Sequence, residues 1–362
     1  MTVIASLNIN SVPVLIGDIL ISNEITGNNP LTIPTIGSVS KCSLSGSGFE
    51  PVNLRQKISI LGDNIAIAWA GSMVHAATVI AELNNLNKAK QFNEFTFGTH
   101  LAKMKGEGEL KKISLIAYIA RDGHAKFVPH NVQLIDTDKN GLVYFAGGCS
   151  NYLDGLVKAE RLPAISYGQM NSLDIAASFL LSFNSTYLHK EIIDQENLNF
   201  LYGGGYEGVV FVGSKFTKIG DVTYVFWGDG DGQGEKKLGL RRIIKQFYHD
   251  GILCFFVIEP TETDKMDVVN CYKIAVPPVH RYVRDEEYRN IEFPGINSTY
   301  TCHNISIKIS DEKSTLVPLL QCEKVISKRW MKIDLDGGIF KFDLSEDFWT
   351  MVNEARETAK RL

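Results

Sequence analysis

The N-terminal stretch MTVIASLNINSVPVLIGDILIS (residues 1–22) decides how the chain is read. Thr2 to Ile9 and Val12 to Ser22 are aliphatic, β-branched runs separated by Asn10-Ser11, the pattern of a β-hairpin buried on at least one face. Asn8, Asn10 and Asp18 interrupt it, and the first basic residue is Lys41. It therefore has neither the positive start of a signal peptide nor the ~18 apolar residues of a membrane helix. The expectation is a cytoplasmic protein whose fold begins at residue 2.

Outward from this hairpin, Asn23 to Val52 is rich in Ser, Gly, Asn, Pro and Thr and reads as a long loop. A second hairpin follows, Lys57 to Leu61 and Ile65 to Ala70, turning at Gly62-Asp63-Asn64. Apolar spacing predicts helices over Met73 to Leu86, Asn93 to Met104, Asn151 to Arg161 and Ser172 to His189. Strands are expected at Ile113 to Ala120, Gly141 to Ala146, Gly208 to Gly213 and Asp221 to Trp227. Two sheets covered by helix pairs make a four-layer αββα sandwich over residues 2–228, an α+β arrangement.

GDGDGQGEKK (residues 228–237) reads as punctuation. Its acidic spacing imitates a calcium loop, but the twelfth position is Leu240 rather than Glu. Residues 229–250 are expected to be a linker and a short basic helix carrying Lys236, Lys237, Arg241, Arg242 and Lys245. Residues 251–362 alternate like strands (LCFFVIEP, NCYKIAVP, HNISIKIS, MKIDLDGGIFKFDL) and close with a helix over Glu346 to Arg361.

Composition limits function. The 362 residues are 44% hydrophobic and 22% charged, with 37 basic against 41 acidic side chains. That balance lacks the basic excess of a nucleic-acid binder. The six cysteines form no C-x-x-C pair and no disulfide framework. No metal or cofactor is implied.

Chemistry gathers near the first hairpin. Removal of Met1 would put a hydroxyl and a free α-amine on Thr2, and an α-amine with an ordinary pKa of ~7.7–8.0 serves as a base at neutral pH. Asp18 sits in an apolar run and needs a partner, which Lys57 could supply. A buried ammonium beside a hydroxyl also lowers the hydroxyl's pKa. Ala70-Gly71-Ser72 falls where a strand meets a helix, a place where backbone N–H groups can hold an oxyanion.

In these residues the first ~230 positions resemble the N-terminal nucleophile hydrolases, and specifically proteasome-type β-subunits. The matching features are Thr2, Gly17-Asp18, and a lysine (Lys57) fourteen residues before the glycine of the Gly71-Ser72 turn. The resemblance implies Thr2 as nucleophile, its amine as base, Asp18 and Lys57 as the activating pair and the Gly71 N–H as oxyanion hole. It also implies that Ser22 holds the substrate main chain and that Ser150, in GGCSNY (147–152), supports the amine. Trp69, Ser72 and Met73 flank the glycine; Trp69 and Met73 read equally well as pocket walls or as core. The family's D-x-x-S-G aligns with Phe200-Leu-Tyr-Gly203-Gly204, which has neither the Asp nor the Ser. Lys41 is a rival for the lysine role, His75 reads as a structural histidine, and Cys149 shows no sign of reactivity.

The function expected from the resemblance is a threonine-type peptidase acting on peptides or unfolded protein, homo-oligomeric and in some relatives ring-forming. A small-molecule amidase of the same fold and a non-catalytic interaction subunit are the alternatives.

Overall fold

The Asn10-Ser11 pair closes the first hairpin with positive φ at both residues (51° and 65°), as a type I′ turn requires. Val3–Ile9 and Val12–Asp18 pair in register from Ile4↔Gly17 to Ile9↔Val12. The structure is a computed structural model. It describes all residues except 1, 25–30, 40–48, 90–93, 138–140, 149–169, 196–197, 199, 230–237, 261–268, 309–313, 324–328, 337–338 and 360–362.

The chain is a mixed α+β protein with three principal sheets among its described residues. The hairpin is the centre of the first sheet, ordered Gln133–Thr137, Gly141–Gly147, Val3–Ile9, Val12–Asp18, Tyr206–Val212, Lys215–Lys218 and antiparallel throughout. The second sheet joins the hairpin Ile58–Leu61/Ile65–Gly71 to Ile113–Arg121 and His124–His130. Ile4 and Leu15 of the first sheet meet Ile58, Ala66, Ala68 and Ile116 of the second in one apolar layer.

Helices cover the outer faces of this pair. In α1 (Met73–Lys88), Ala76, Val79, Ile80 and Leu83 form one buried stripe. With Phe97 and Leu101 of α2 (Glu94–Glu107), the stripe packs against Ile65, Ile67 and Trp69 of the second sheet. On the first sheet lies α3 (Ser172–Asp194), started by Asn171, whose Oδ1 accepts the Asp174 N–H at 2.9 Å. This helix is buried almost all round, which calls for cover on both faces.

The second cover is the third sheet, ordered Val269–Val276, Ile252–Pro260, Leu238–His249, Val222–Asp229, Tyr300–Lys308, Ser314–Cys322. Tyr224, Phe226, Leu253 and Leu320 share one core with α3 and with Val14 and Ile16 of the first sheet. The alternate residues Val225 and Trp227 face away, onto Phe348, Trp349 and Val352 of the C-terminal helix. Before that helix come a one-turn helix, α4 (Asp285–Arg289), and the hairpin Met331–Asp336/Ile339–Leu344. The C-terminal helix, α5, spans Glu346–Ala359.

Four expectations change. Residues 238–249 are a strand rather than a basic helix, because Lys245 is buried: its Nζ bonds Asp221 Oδ1 and Ser298 Oγ at 2.5 Å and Asn297 O at 2.7 Å. Of the expected linker 229–250, this part is therefore sheet interior, while 230–237 lie outside the described residues. The strand near Asp221 to Trp227 belongs to the third sheet, so a boundary at residue 228 would cut a sheet in two. Finally, the loop Asn23 to Val52 contains structure: Leu20–Glu24 pairs with Phe49–Leu54, and Leu31–Ile33 pairs with Gly37–Val39. The helix expected over Asn151 to Arg161 lies outside the described residues.

Candidate active site

The hairpin register sets the site. Pairing Ile4 with Gly17 brings the start of the first strand beside Asp18, whose Oδ1 accepts the Val3 N–H at 3.1 Å. Gly17 is needed beside it, because a Cβ there would lie 2.9 Å from the Lys57 side chain. Lys57 reaches across from the second sheet. Its Nζ donates to Thr2 Oγ1 at 2.8 Å and to Leu20 O at 3.0 Å, and stands 4.4 Å from the centre of the Trp69 ring. Thr2, Asp18 and Lys57 are all buried.

Burial dominates the electrostatics. It raises the Asp18 pKa to about 6, against the opposing pull of the Lys57 charge and of the Val3 and Gly203 N–H groups. It also lowers the Lys57 pKa to about 8, opposed by Asp18 and Glu207. The lysine is thus a desolvated ammonium close to its own titration point and in contact with the threonine hydroxyl. Its stem and charge are shielded by Trp69, a fully buried core residue whose Nε1 donates to Gln56 O at 3.1 Å.

The other expected residues fall as follows. Gly71 ends its strand at φ 98°, and a Cβ there would lie 2.4 Å from Lys112 O, so the turn requires glycine. The Ser72 N–H is engaged with Lys112 O at 3.0 Å, and the Ser72 hydroxyl bonds His75 Nδ1 at 2.8 Å. His75 is accordingly a partner of the α1 N-terminus. Met73 packs on the α1–α2 core. Ser22 lies half-buried in the Leu20–Glu24 strand, beside a register shift at Ile21/Ser22. Lys41, Cys149 and Ser150 lie outside the described residues.

Several contributors escaped the sequence reading. Gly147 opposes Val3 at φ 116°, and a Cβ there would sit 1.6 Å from Thr2 O. Gly203, where the resemblance has D-x-x-S-G, donates its N–H to Asp18 Oδ2 at 3.1 Å. Gly204 donates to the buried Glu191, which also accepts from Thr35 Oγ1 at 2.8 Å and Tyr206 Oη at 3.2 Å. The readable signal was three consecutive glycines, Gly203 to Gly205, all of which adopt positive φ. Two cavities, of about 310 and 840 Å3, are lined by residues other than Thr2.

Neither a protein-family model nor a curated protein matches the sequence. Among the described residues, no helix is long and apolar enough to cross a membrane.

Proposed function

We propose that the chain is a threonine-type amidohydrolase of the N-terminal nucleophile kind, cleaving peptide bonds with Thr2 once Met1 is removed. One observation carries the reading: the buried Lys57 ammonium lies 2.8 Å from Thr2 Oγ1, in a site where Asp18 holds the next backbone N–H. The stacking of helix pair, sheet, sheet and helix around that site supports it as the αββα sandwich of such enzymes.

In this mechanism the free Thr2 amine takes the hydroxyl proton as Oγ1 attacks the carbonyl, then passes it to the leaving amine as the C–N bond breaks and an ester forms on Oγ1. Lys57 stabilises the forming alkoxide, and the Asp18 carboxylate balances the lysine while fixing the strand through Val3. The Gly71 N–H is assigned to the oxyanion, and water activated by the same amine releases the acyl group. Ser22 is assigned to the substrate main chain. Peptides or unfolded protein as substrates, and a homo-oligomeric assembly, belong to this proposal. A non-catalytic interaction subunit is the second reading, favoured by the replacement of D-x-x-S-G with residues 200–204.

Intact mass after treatment with a β-lactone or epoxyketone tests the assignment. The expected result is a chain lacking Met1 and carrying one adduct on Thr2, with none on Thr2→Ala. A chain that has lost Met1 and takes up no label overturns the nucleophile and leaves the interaction reading. Turnover of peptides against small amides then selects the substrate class.

A further inference from the structure

A cleft of about 840 Å3 opens where edge strands of the first and second sheets meet the Leu238–Pro260 hairpin of the third. That volume falls in the range of small-molecule sites. Its walls combine Phe216, Phe247, Tyr248 and Pro278 with Lys218, His280 and Arg281. Lys218 is the innermost cation, its side chain 16% exposed. Its Nζ donates to Gln56 Oε1 and, at 3.0 Å, to Glu207 Oε2, and stands 4.7 Å from the Tyr248 ring centre. An ammonium has three N–H donors, so among the described residues one remains for a ligand.

The charges around the cleft balance, with Glu207 on Lys218 and Glu287 on Arg281, so it is the N–H donors left over on these cations that favour an anion. Lys215, Lys218 and Arg281 face Asp63 and Asp221. Asp221 is already engaged by Lys245 and by Thr299 N and Oγ1. Arg281 bonds Asp250 O and Glu287 Oε2, which leaves part of its five-donor fork. His280 has its pKa lowered by burial and by the charges of Lys218, Lys88 and Arg281.

Lys218 is also wired to the candidate site. Glu207 behind it is fully buried, accepting the Ile58 N–H at 2.7 Å on Oε1 and the Tyr248 hydroxyl at 3.3 Å on Oε2. Gln56 Nε2 is fixed to Gly251 O and Val276 O, both at 2.8 Å. Gln56 and Ile58 flank Lys57 in the chain, so one network anchors both neighbours of the lysine that touches Thr2. Glu207 also favours the charged form of Lys57.

We propose that this cleft binds small organic anions, a carboxylate or phosphate carried on a flat apolar body, and that occupancy is communicated to Thr2 through Lys218, Glu207 and Lys57. The binding half stands alone; the communication half rests on Thr2 being a nucleophile. A bound anion competes with Glu207 for the Lys218 ammonium. Glu207, less compensated, then holds the proton on Lys57 to higher pH.

The test follows the His280 ring of the full chain by NMR titration with benzoate and with inorganic phosphate, using chloride at matched ionic strength as control. A saturable rise of about 0.5 unit or more in the His280 pKa is expected, the sign of an anion replacing cationic neighbours. Benzoate binding more tightly than phosphate assigns the apolar walls a role; the reverse restricts the site to the anionic group. Lys218→Gln should abolish the response. Arg281→Gln, at a more exposed position, should weaken it without touching the buried network. An equal or non-saturating response to chloride overturns the site. In the second arm, the pH dependence of β-lactone labelling at Thr2 is measured with and without benzoate. Its alkaline limb should move up in the wild type and stay fixed in Lys218→Gln. Saturation at His280 with an unmoved limb overturns the communication. Absence of any labelling in a chain that has lost Met1 overturns the nucleophile reading and leaves the binding half to be decided by the titration.

Discussion

Lys57 is held by opposing demands: burial favours its neutral form, and Asp18 and Glu207 favour its charged form. Two predictions follow at this scale. If turnover needs ionised Asp18, a neutral Thr2 amine and protonated Lys57, labelling of Thr2 against pH is bell-shaped, its acid side set by Asp18 near 6 together with the amine and its alkaline limb by Lys57 near 8. A profile flat from pH 5 to 9 would exclude the pair from the reaction. The same shifts act on stability. The Asp18 pKa rises from 3.8 to about 6 on folding, so the native state holds that proton more tightly and loses stability as pH climbs through this window. The Lys57 pKa falls from 10.5 to about 8, so the unfolded state holds more protons between these values and stability recovers as pH rises through them. The pair therefore weakens the fold most between pH 6 and 8. Denaturant midpoints of the wild type should dip there relative to an Asp18→Asn/Lys57→Met double variant, and parallel curves would refute this account. Asp18 and Lys57 could be read from sequence because each is a charge in or beside an apolar run. Glu191 and Glu207 could not, because most of their partners are backbone and hydroxyl groups, among them Thr35 and Ile58 of segments remote in sequence.

At the scale of elements, glycines set how closely segments approach. Gly203→Ala would place a Cβ 2.0 Å from Glu191 Oε1 at φ 111°, while Gly213→Ala, at φ 59°, meets nothing within 4 Å. The first should lose roughly 2–4 kcal/mol of stability and Thr2 reactivity together, since Gly203 also holds Asp18. The second should lose only about 1–2 kcal/mol, the usual strain of a left-handed alanine, with reactivity kept. Equal losses from urea melts of the two variants would count against the crowding argument. The hairpins were legible because a two-residue turn and alternating burial are local signals. The strand Leu238–His249 was not. Arg241, Arg242 and Lys245 recur at a spacing that suits a helix face, and only the distant Asp221, Asn297 and Ser298 make a buried lysine acceptable in a sheet.

At the scale of the molecule, the first sheet, α3 and the third sheet share one core, so the N-terminal part and the C-terminal region are expected to unfold together. Calorimetry of the full chain should give one transition. A chain ending at residue 229 should fail to fold to a stable state, because it exposes α3 and leaves the Val222–Asp229 strand without its partners Leu238–His249 and Tyr300–Lys308. Two separable transitions, or a stable fragment, would contradict the shared core. The sequence already held the clue in α3, which carries apolar residues around its whole circumference; a helix covered on one side only would show a stripe.

That same helix bears on how copies of the chain can meet. Its second face is occupied from within, by a sheet of its own polypeptide, and is closed to any neighbour. An assembly of this protein must be built from other ground, such as the α1–α2 side, where Val74 and Phe95 stand 69% and 81% exposed. The third sheet thus acts as a permanently bound intramolecular partner, present at unit stoichiometry and at any dilution.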